Sequence, residues 1–79
     1  MMIKVMCIKD LISFTEKKEL MLIKDKIYEA EINFYDKIYE FTINCENGWR
    51  NHISRTYVIP YKEWLANWRE QQINSILND

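Results

Sequence analysis

Four stretches of the chain alternate between apolar and polar residues, and a fifth repeats at helical spacing. Over residues 2–9, Ile3, Val5 and Cys7 face one way and Lys4, Met6 and Ile8 the other, which predicts a first strand. Over 27–34, Tyr28, Ala30, Ile32 and Phe34 share a face opposite Glu29, Glu31 and Asn33, the pattern of a one-faced antiparallel strand. After a turn at Tyr35-Asp36-Lys37, residues 38–45 place Tyr39, Phe41, Ile43 and Cys45 inward and Glu40, Thr42 and Asn44 outward. The single glycine sits in Asn47-Gly48, a strong hairpin signal. A two-residue loop would oppose Thr42 to Ile53, apolar against polar. A three-residue loop, Glu46-Asn47-Gly48 with the glycine left-handed, opposes Cys45 to Trp49 and Phe41 to Ile53 and keeps the faces consistent. A strand over 49–54 follows, with Trp49 wanted in the core opposite Cys45. Tyr57-Val58-Ile59 adds a short fifth strand before Pro60, the sole proline, which suits the first turn of a helix.

That helix is predicted over 61–77. Trp64 and Trp68 lie four residues apart, one turn above the other. Tyr61, Trp64, Leu65, Trp68 and Ile76 fall within one stripe about 120° wide, the face expected to pack across the sheet with both indoles in the core. Ala66, Ile73 and Leu77 form a second, weaker apolar edge that covers the N-terminal segment or meets a partner. Residues 11–23 admit two readings. Ser13 and Glu16 have the spacing of a capping box, which favours a short helix over 14–20. Leu20-Met21-Leu22-Ile23 fits the end of such a helix or a short strand, and periodicity does not separate the two at this length.

The expected architecture is α+β, a single domain of four to five antiparallel strands with a C-terminal amphipathic helix. Seventy-nine residues lie near the lower limit for a chain that folds on its own core. Three tryptophans, five tyrosines and three phenylalanines offset this, since each aromatic buries about 150–250 Å². With 11 basic and 12 acidic residues the net charge is −1, neither the footprint of a dedicated polyanion binder nor that of a nucleic-acid mimic. No stretch approaches the roughly 20 apolar residues of a membrane helix, and residues 1–7 lack the features of a signal peptide. A cytoplasmic protein with two free thiols is the expectation.

Ile3 to Asp10, then Lys24-Asp25-Lys26-Ile27-Tyr28-Glu29-Ala30, then Tyr39-Glu40-Phe41-Thr42-Ile43-Asn44 before a turn, resemble short uncharacterised bacterial and phage reading frames with an SH3-like β-barrel. There a first strand ending in Cys-Ile precedes a Lys-Gly-Lys-x-Tyr type turn and a hairpin tipped by Asp-Gly or Asn-Gly. The resemblance covers residues 2–50. This chain has Asp25 where a glycine is usual, and a long helix where such barrels often stop. It implies a small SH3-like barrel of phage or mobile-element origin and supplies no functional residues.

No constellation carries catalysis. His52, the single histidine, is expected on the outward face opposite Thr42, and Cys45 on the inward face, so the two do not form a nucleophile–base pair. Cys7, Cys45 and His52 lack metal-ligand spacing. The carboxylates fall on solvated faces, and one glycine makes no phosphate cradle. We therefore expect no enzyme, no catalytic residue, no metal and no cofactor. The leading expectation is a protein-binding module, in which Tyr57, Trp68, Arg69, Ile73 and Leu77 contact a partner or a second copy of the chain. Given the resemblance, a host defence complex inhibited by a phage protein is the partner class it suggests. The alternative is a small single-strand nucleic-acid binder using Trp49, Arg50, Arg55, Tyr57 and Lys62.

Overall fold

The computed structural model describes residues 1–78, with side chains through Gln72. Seven strands precede one helix: β1 (Met2–Cys7), β2 (Leu11–Ile12), β3 (Leu20–Leu22), β4 (Ile27–Ile32), β5 (Phe41–Asn44), β6 (Arg50–Ile53), β7 (Val58–Pro60) and α1 (Tyr61–Asn78). Five strands form a curled antiparallel half-barrel in the order β6-β5-β4-β1-β7, and β2 and β3 pair separately as a hairpin.

The sheet follows the alternation closely. Val5 and Cys7 on β1, Tyr28 and Ala30 on β4, Phe41 and Ile43 on β5, Ile53 on β6 and Val58 on β7 bury on one face and form one cluster. The pairing of Phe41 with Ile53 and of Thr42 with His52 is the register that a three-residue loop demands. Cys45 N–H donates to Trp49 C=O at 2.7 Å, closing that loop, and Gly48 takes φ +86°. A left-handed residue is required there, and glycine adopts it at no steric cost. Pro60 is the last residue of β7 rather than part of the first helical turn, opposite Val5 on an edge strand. Met6–Ile59 and Ile8–Tyr57 are the hydrogen-bonded pairs of this ladder, as the 2.8 Å Ile8 N–H to Tyr57 C=O bond shows. The missing N–H of Pro60 thus falls at a non-bonded position and costs no ladder bond.

The other face of the core is closed by the hairpin. Residues 14–20 do not form a helix. Ser13 is buried, and its hydroxyl accepts the Glu19 N–H at 3.0 Å, while Ser13 N–H donates to Glu19 C=O at 2.8 Å. The hydroxyl that a capping box needs for Glu16 is therefore spent across a hairpin loop. Leu11, Met21 and Leu22 turn inward onto the sheet's cluster, and Leu22 is wholly buried. Burying one such side chain stabilises the fold by about 1.5–3 kcal/mol.

Two polar ties hold hairpin and sheet together. Glu46 N–H donates to Met21 C=O at 2.8 Å. Tyr28, whose ring lies in the core, accepts the Ile23 N–H at 2.9 Å and donates its hydroxyl to Glu46 Oε1 at 2.9 Å. Lys26 pairs with the same carboxylate, which Lys26 and then Tyr28 hold below the usual carboxylate range. The turn between β3 and β4 places Asp25 at φ +70°, with its N–H on Cys7 C=O at 2.8 Å. That is a left-handed conformation, which glycine adopts most easily and which aspartate tolerates better than most side chains.

Several side chains depart from expectation. Phe34 is 72% exposed, because β4 ends at Ile32 and the chain leaves the ladder after Asn33. Tyr39 lies outside β5 and is about half exposed. Thr42, expected in solvent, is buried on the outer face beneath Asn33 and His52. The helix spans the predicted residues but is not a clamp across the core. It packs against β1 and β7, whose Met6 and Ile59 share the outer face. Met6 is buried yet stands outside the main cluster, as expected for a residue covered from that side. Of the described helix side chains none is buried: Trp64 is half-buried and stacks on Tyr61 at 5.9 Å, and Trp68 is 47% exposed. One sheet face is already occupied by the hairpin, so the indoles have only the flank of β1 and β7 to meet.

Replacing Tyr28 by Phe keeps the ring and removes the hydroxyl. The Ile23 N–H loses its acceptor, so denaturant unfolding should show a loss of about 1–2 kcal/mol. Burial, with Glu46 adding to it, pushes the Tyr28 hydroxyl up to about 12. The folded state holds that proton more tightly than the unfolded chain, so its contribution is full below about pH 10 and disappears as pH rises toward 12. Tyr28→Phe should flatten that alkaline decline.

Candidate aromatic groove

Where the hairpin leans over the sheet, a groove of about 440 Å³ opens. Leu11 and Met21 of the hairpin and Ile53 of β6 form its buried floor. Four aromatic side chains border it: Phe14 from the hairpin loop, Tyr39 from the loop before β5, Trp49 from the β5–β6 turn and Tyr57 from the turn before β7. Phe14 is 96% exposed, Trp49 58% and Tyr39 49%, so the wall is apolar surface that water reaches. A second hollow of about 560 Å³ continues past Trp49 between the hairpin loop and Asn47, bordered by Glu16, Lys17 and Glu19.

Each wall residue is held by local chemistry. The hairpin loop carrying Phe14 is clamped by Ser13, whose hydroxyl also lies 3.0 Å from that of Thr15. Its tight turn places Lys18 at φ +45° and closes with Lys18 N–H on Thr15 C=O at 3.1 Å. The loop carrying Tyr39 is pinned at both ends. Asn33 N–H donates to Glu40 C=O at 2.7 Å, extending the β4–β5 ladder by one pair. The Asn33 amide reaches Tyr39 C=O at 3.2 Å, the Thr42 hydroxyl at 2.8 Å and His52 Nδ1 at 3.0 Å. Asp36 accepts the Ile38 and Tyr39 N–H groups at 3.0 and 2.9 Å. Those bonds, Tyr39 first, keep its carboxyl below the usual range. Trp49 N–H donates to Asn47 Oδ1 at 3.1 Å, fixing the turn from which the indole projects. Tyr57 N–H bonds Ser54 C=O at 3.1 Å; its ring packs on the core, with the Lys9 amine 5.7 Å from its centroid.

The two predicted residue sets separate. Tyr57 lines the groove. Trp68 and Arg69 lie exposed on α1, none of whose described side chains lines it. The side chains of Ile73 and Leu77 lie outside the described residues. Of the nucleic-acid set, Trp49 and Tyr57 meet in the groove and Lys62 is exposed on α1. Arg50 is paired with Glu31, while Arg55 is shared between Glu40 at 2.9 Å and Glu63 at 3.1 Å. Those acids neutralise the arginines expected to hold phosphates. The expectation that Trp49 fills the core fails: Cys45, Met21, Leu22 and Tyr28 already occupy that end, and the indole stands at the rim.

Phe14 and Tyr39 were missed from the sequence as site residues. Phe14 stands in the polar run Ser13-Phe14-Thr15-Glu16, where a large aromatic has no periodic partner, and that isolation was the available signal. Cys7 and Cys45 are buried, and burial raises both thiols, so they behave as small apolar side chains. His52 lies opposite Thr42 on the outer face, as its alternation requires. Among the described residues no helix is long and apolar enough to cross a membrane. No family model, no curated protein and no solved structure matches this chain.

Asp36→Ala should free the Ile38 and Tyr39 amides without unfolding the sheet. Their hydrogen exchange, followed by NMR, should accelerate about tenfold or more, the loss of one to two charge-assisted bonds. Exchange at Ile43 should be unchanged. Acidification through the Asp36 carboxyl should reproduce the effect in the wild type, because protonation removes the charge those amides bind.

Proposed function

We propose that the protein is a non-enzymatic binding module of SH3-like build that holds a segment of another protein in the aromatic groove. One observation carries this: four aromatic side chains from four separate stretches converge at one hollow, and three of them, Phe14, Tyr39 and Trp49, keep exposed apolar surface. Isolated exposed apolar residues are ordinary, but a contiguous aromatic wall over an apolar floor is the composition of interface centres. Aromatic residues dominate binding hot spots because they bring large, rigid area at small entropic cost. The SH3-like reading draws on the strand order, in which β7 returns to pair with β1 and the hairpin is inserted between β1 and β4. It also draws on the sequence resemblance over residues 2–50. That resemblance further suggests a phage-type inhibitor whose partner belongs to a host defence complex.

The helix residues Trp68 and Arg69 offer a secondary contact surface, because both are exposed. A second copy of the chain is an alternative occupant of that face. A single-strand nucleic-acid site is the runner-up, resting on Trp49 and Tyr57 as stacking platforms. It is disfavoured because Arg50 and Arg55 both lie against carboxylates.

Selection of a random dodecapeptide display library against the wild type, with counter-selection on the Trp49→Ala/Tyr57→Ala variant, tests the groove. Peptides should be enriched that bind the wild type at least about tenfold more tightly than the variant, the loss expected when hot-spot aromatics are removed. Enrichment of no such peptide, or saturable binding of oligothymidylate that weakens steeply with salt, would contradict the reading.

A further inference from the structure

The groove touches Asn51, His52, Ile53 and Ser54 in succession. Consecutive strand residues point to opposite faces, so a hollow that meets all four lies along the edge of the strand, not over one face. β6 is the terminal strand of the sheet, and its outer edge has no strand beside it. The register says which backbone groups that edge presents. Cys45 and Trp49 are a hydrogen-bonded pair, so Ile43–Asn51 and Phe41–Ile53 are bonded pairs as well. Thr42–His52 and Asn44–Arg50 are then the non-bonded pairs, and the N–H and C=O groups of Arg50 and His52 point away from β5. The opposite edge of the sheet is blunted, since β7 ends in Pro60 and runs directly into α1.

We propose that the groove takes its partner as an added β-strand: an extended segment with apolar side chains at alternate positions and a basic end, hydrogen-bonded to the main chain of His52 and Arg50. This deepens the binding-module reading and rests on it. The side-chain faces agree with the backbone. Trp49, Asn51 and Ile53 share the inner face by parity, so every second residue of an added strand turns toward the apolar floor and the aromatic wall. Charge selects the flanking residue. Glu16 and Glu19 border the trough beyond Trp49, and among the described residues neither is in an ion pair. Arg50 and Arg55 already face acids. Lys17 borders the same trough, so two glutamates against one lysine leave its charged lining at −1, and a lysine or arginine on the partner segment meets that small negative excess. Main-chain bonds supply affinity in such an arrangement, and alternate side-chain pockets supply specificity.

The probe is the heptapeptide acetyl-Lys-Val-Thr-Val-Thr-Val-Lys-amide, with lysine at both ends so that either strand direction places one near Glu16 and Glu19. Two further versions carry N-methyl groups on both threonine amides or on all three valine amides. Titration into the 15N-labelled full chain should give saturable shifts at the Trp49 indole. The His52 amide should gain about tenfold or more protection from hydrogen exchange, while the Ile53 amide, already bonded to Phe41, stays as it was. One N-methylated version should bind about tenfold or more weaker and the other about as well as the parent, because an added strand bonds through alternate amides only. Equal binding of all three peptides, an unprotected His52 amide in the saturated complex, or no saturable binding would overturn the added strand. If library peptides still bind through Trp49 and Tyr57 in any of those cases, the groove reading stands and only the strand mode falls.

Discussion

The structure depends on how the buried face of a short-stranded sheet is covered. Val5, Phe41, Ile43 and Val58 present an apolar surface that must be removed from water, and the β2–β3 hairpin removes it through Leu11, Met21 and Leu22. The apolar residues alone would let the hairpin slide. Its position is set by bonds of fixed direction: Glu46 N–H to Met21 C=O, and Tyr28 between Ile23 and Glu46. Buried polar groups are costly unless satisfied, so each of these bonds penalises every alternative placement. The same placement leaves the hairpin loop standing off the sheet beside Trp49, which is how closing the core also opens the groove.

Function follows from that geometry more than from composition. A near-neutral chain has no long-range field to steer a polyanion, and three of its 11 basic residues face acids among the described residues: Lys26 on Glu46, Arg50 on Glu31, Arg55 on Glu40 and Glu63. These exposed pairs add little stability individually. The groove itself is lined by aromatic, aliphatic and polar side chains, with no carboxylate, lysine or arginine among the described lining residues. The Asn33–Thr42–His52 contacts on the outer face and the Asp36 turn hold the Tyr39 loop, so one wall of the groove is positioned by polar bonds and the opposite wall by Ser13.

Much of the fold was legible in the residues. Alternation identified the inward faces of β1, β4 and β5, face matching identified the three-residue turn at Gly48, and the helical repeat located α1 to within a residue. What escaped was the identity of each element's partner. Trp64 and Trp68 repeat correctly for a helix, but periodicity does not say that the sheet face is already covered by a hairpin. Trp49 has the parity of a core residue, yet it stands just beyond β6, where no strand lies over it. Phe34 fails for the same reason at the end of β4. The spacing of Ser13 and Glu16 suited a capping box, but the hydroxyl bonds Glu19 across the hairpin. That choice is decided by Met21 and Leu22, which bury on the sheet. Half of the groove was therefore visible as aromatic residues, and none of it as a groove.

Native-state hydrogen exchange measured residue by residue tests the closure most directly. With the hairpin sealing the core, the Ser13 and Glu46 amides, bonded to Glu19 and Met21, should exchange only through global unfolding, together with the amide of buried Val5. Amides in the middle of α1, near Trp68, should exchange at a free energy several kcal/mol lower, because the helix rests on one flank of the sheet. The reverse order, with α1 protected to the global limit and the Ser13 and Glu46 amides opening locally, would contradict a core closed by the hairpin.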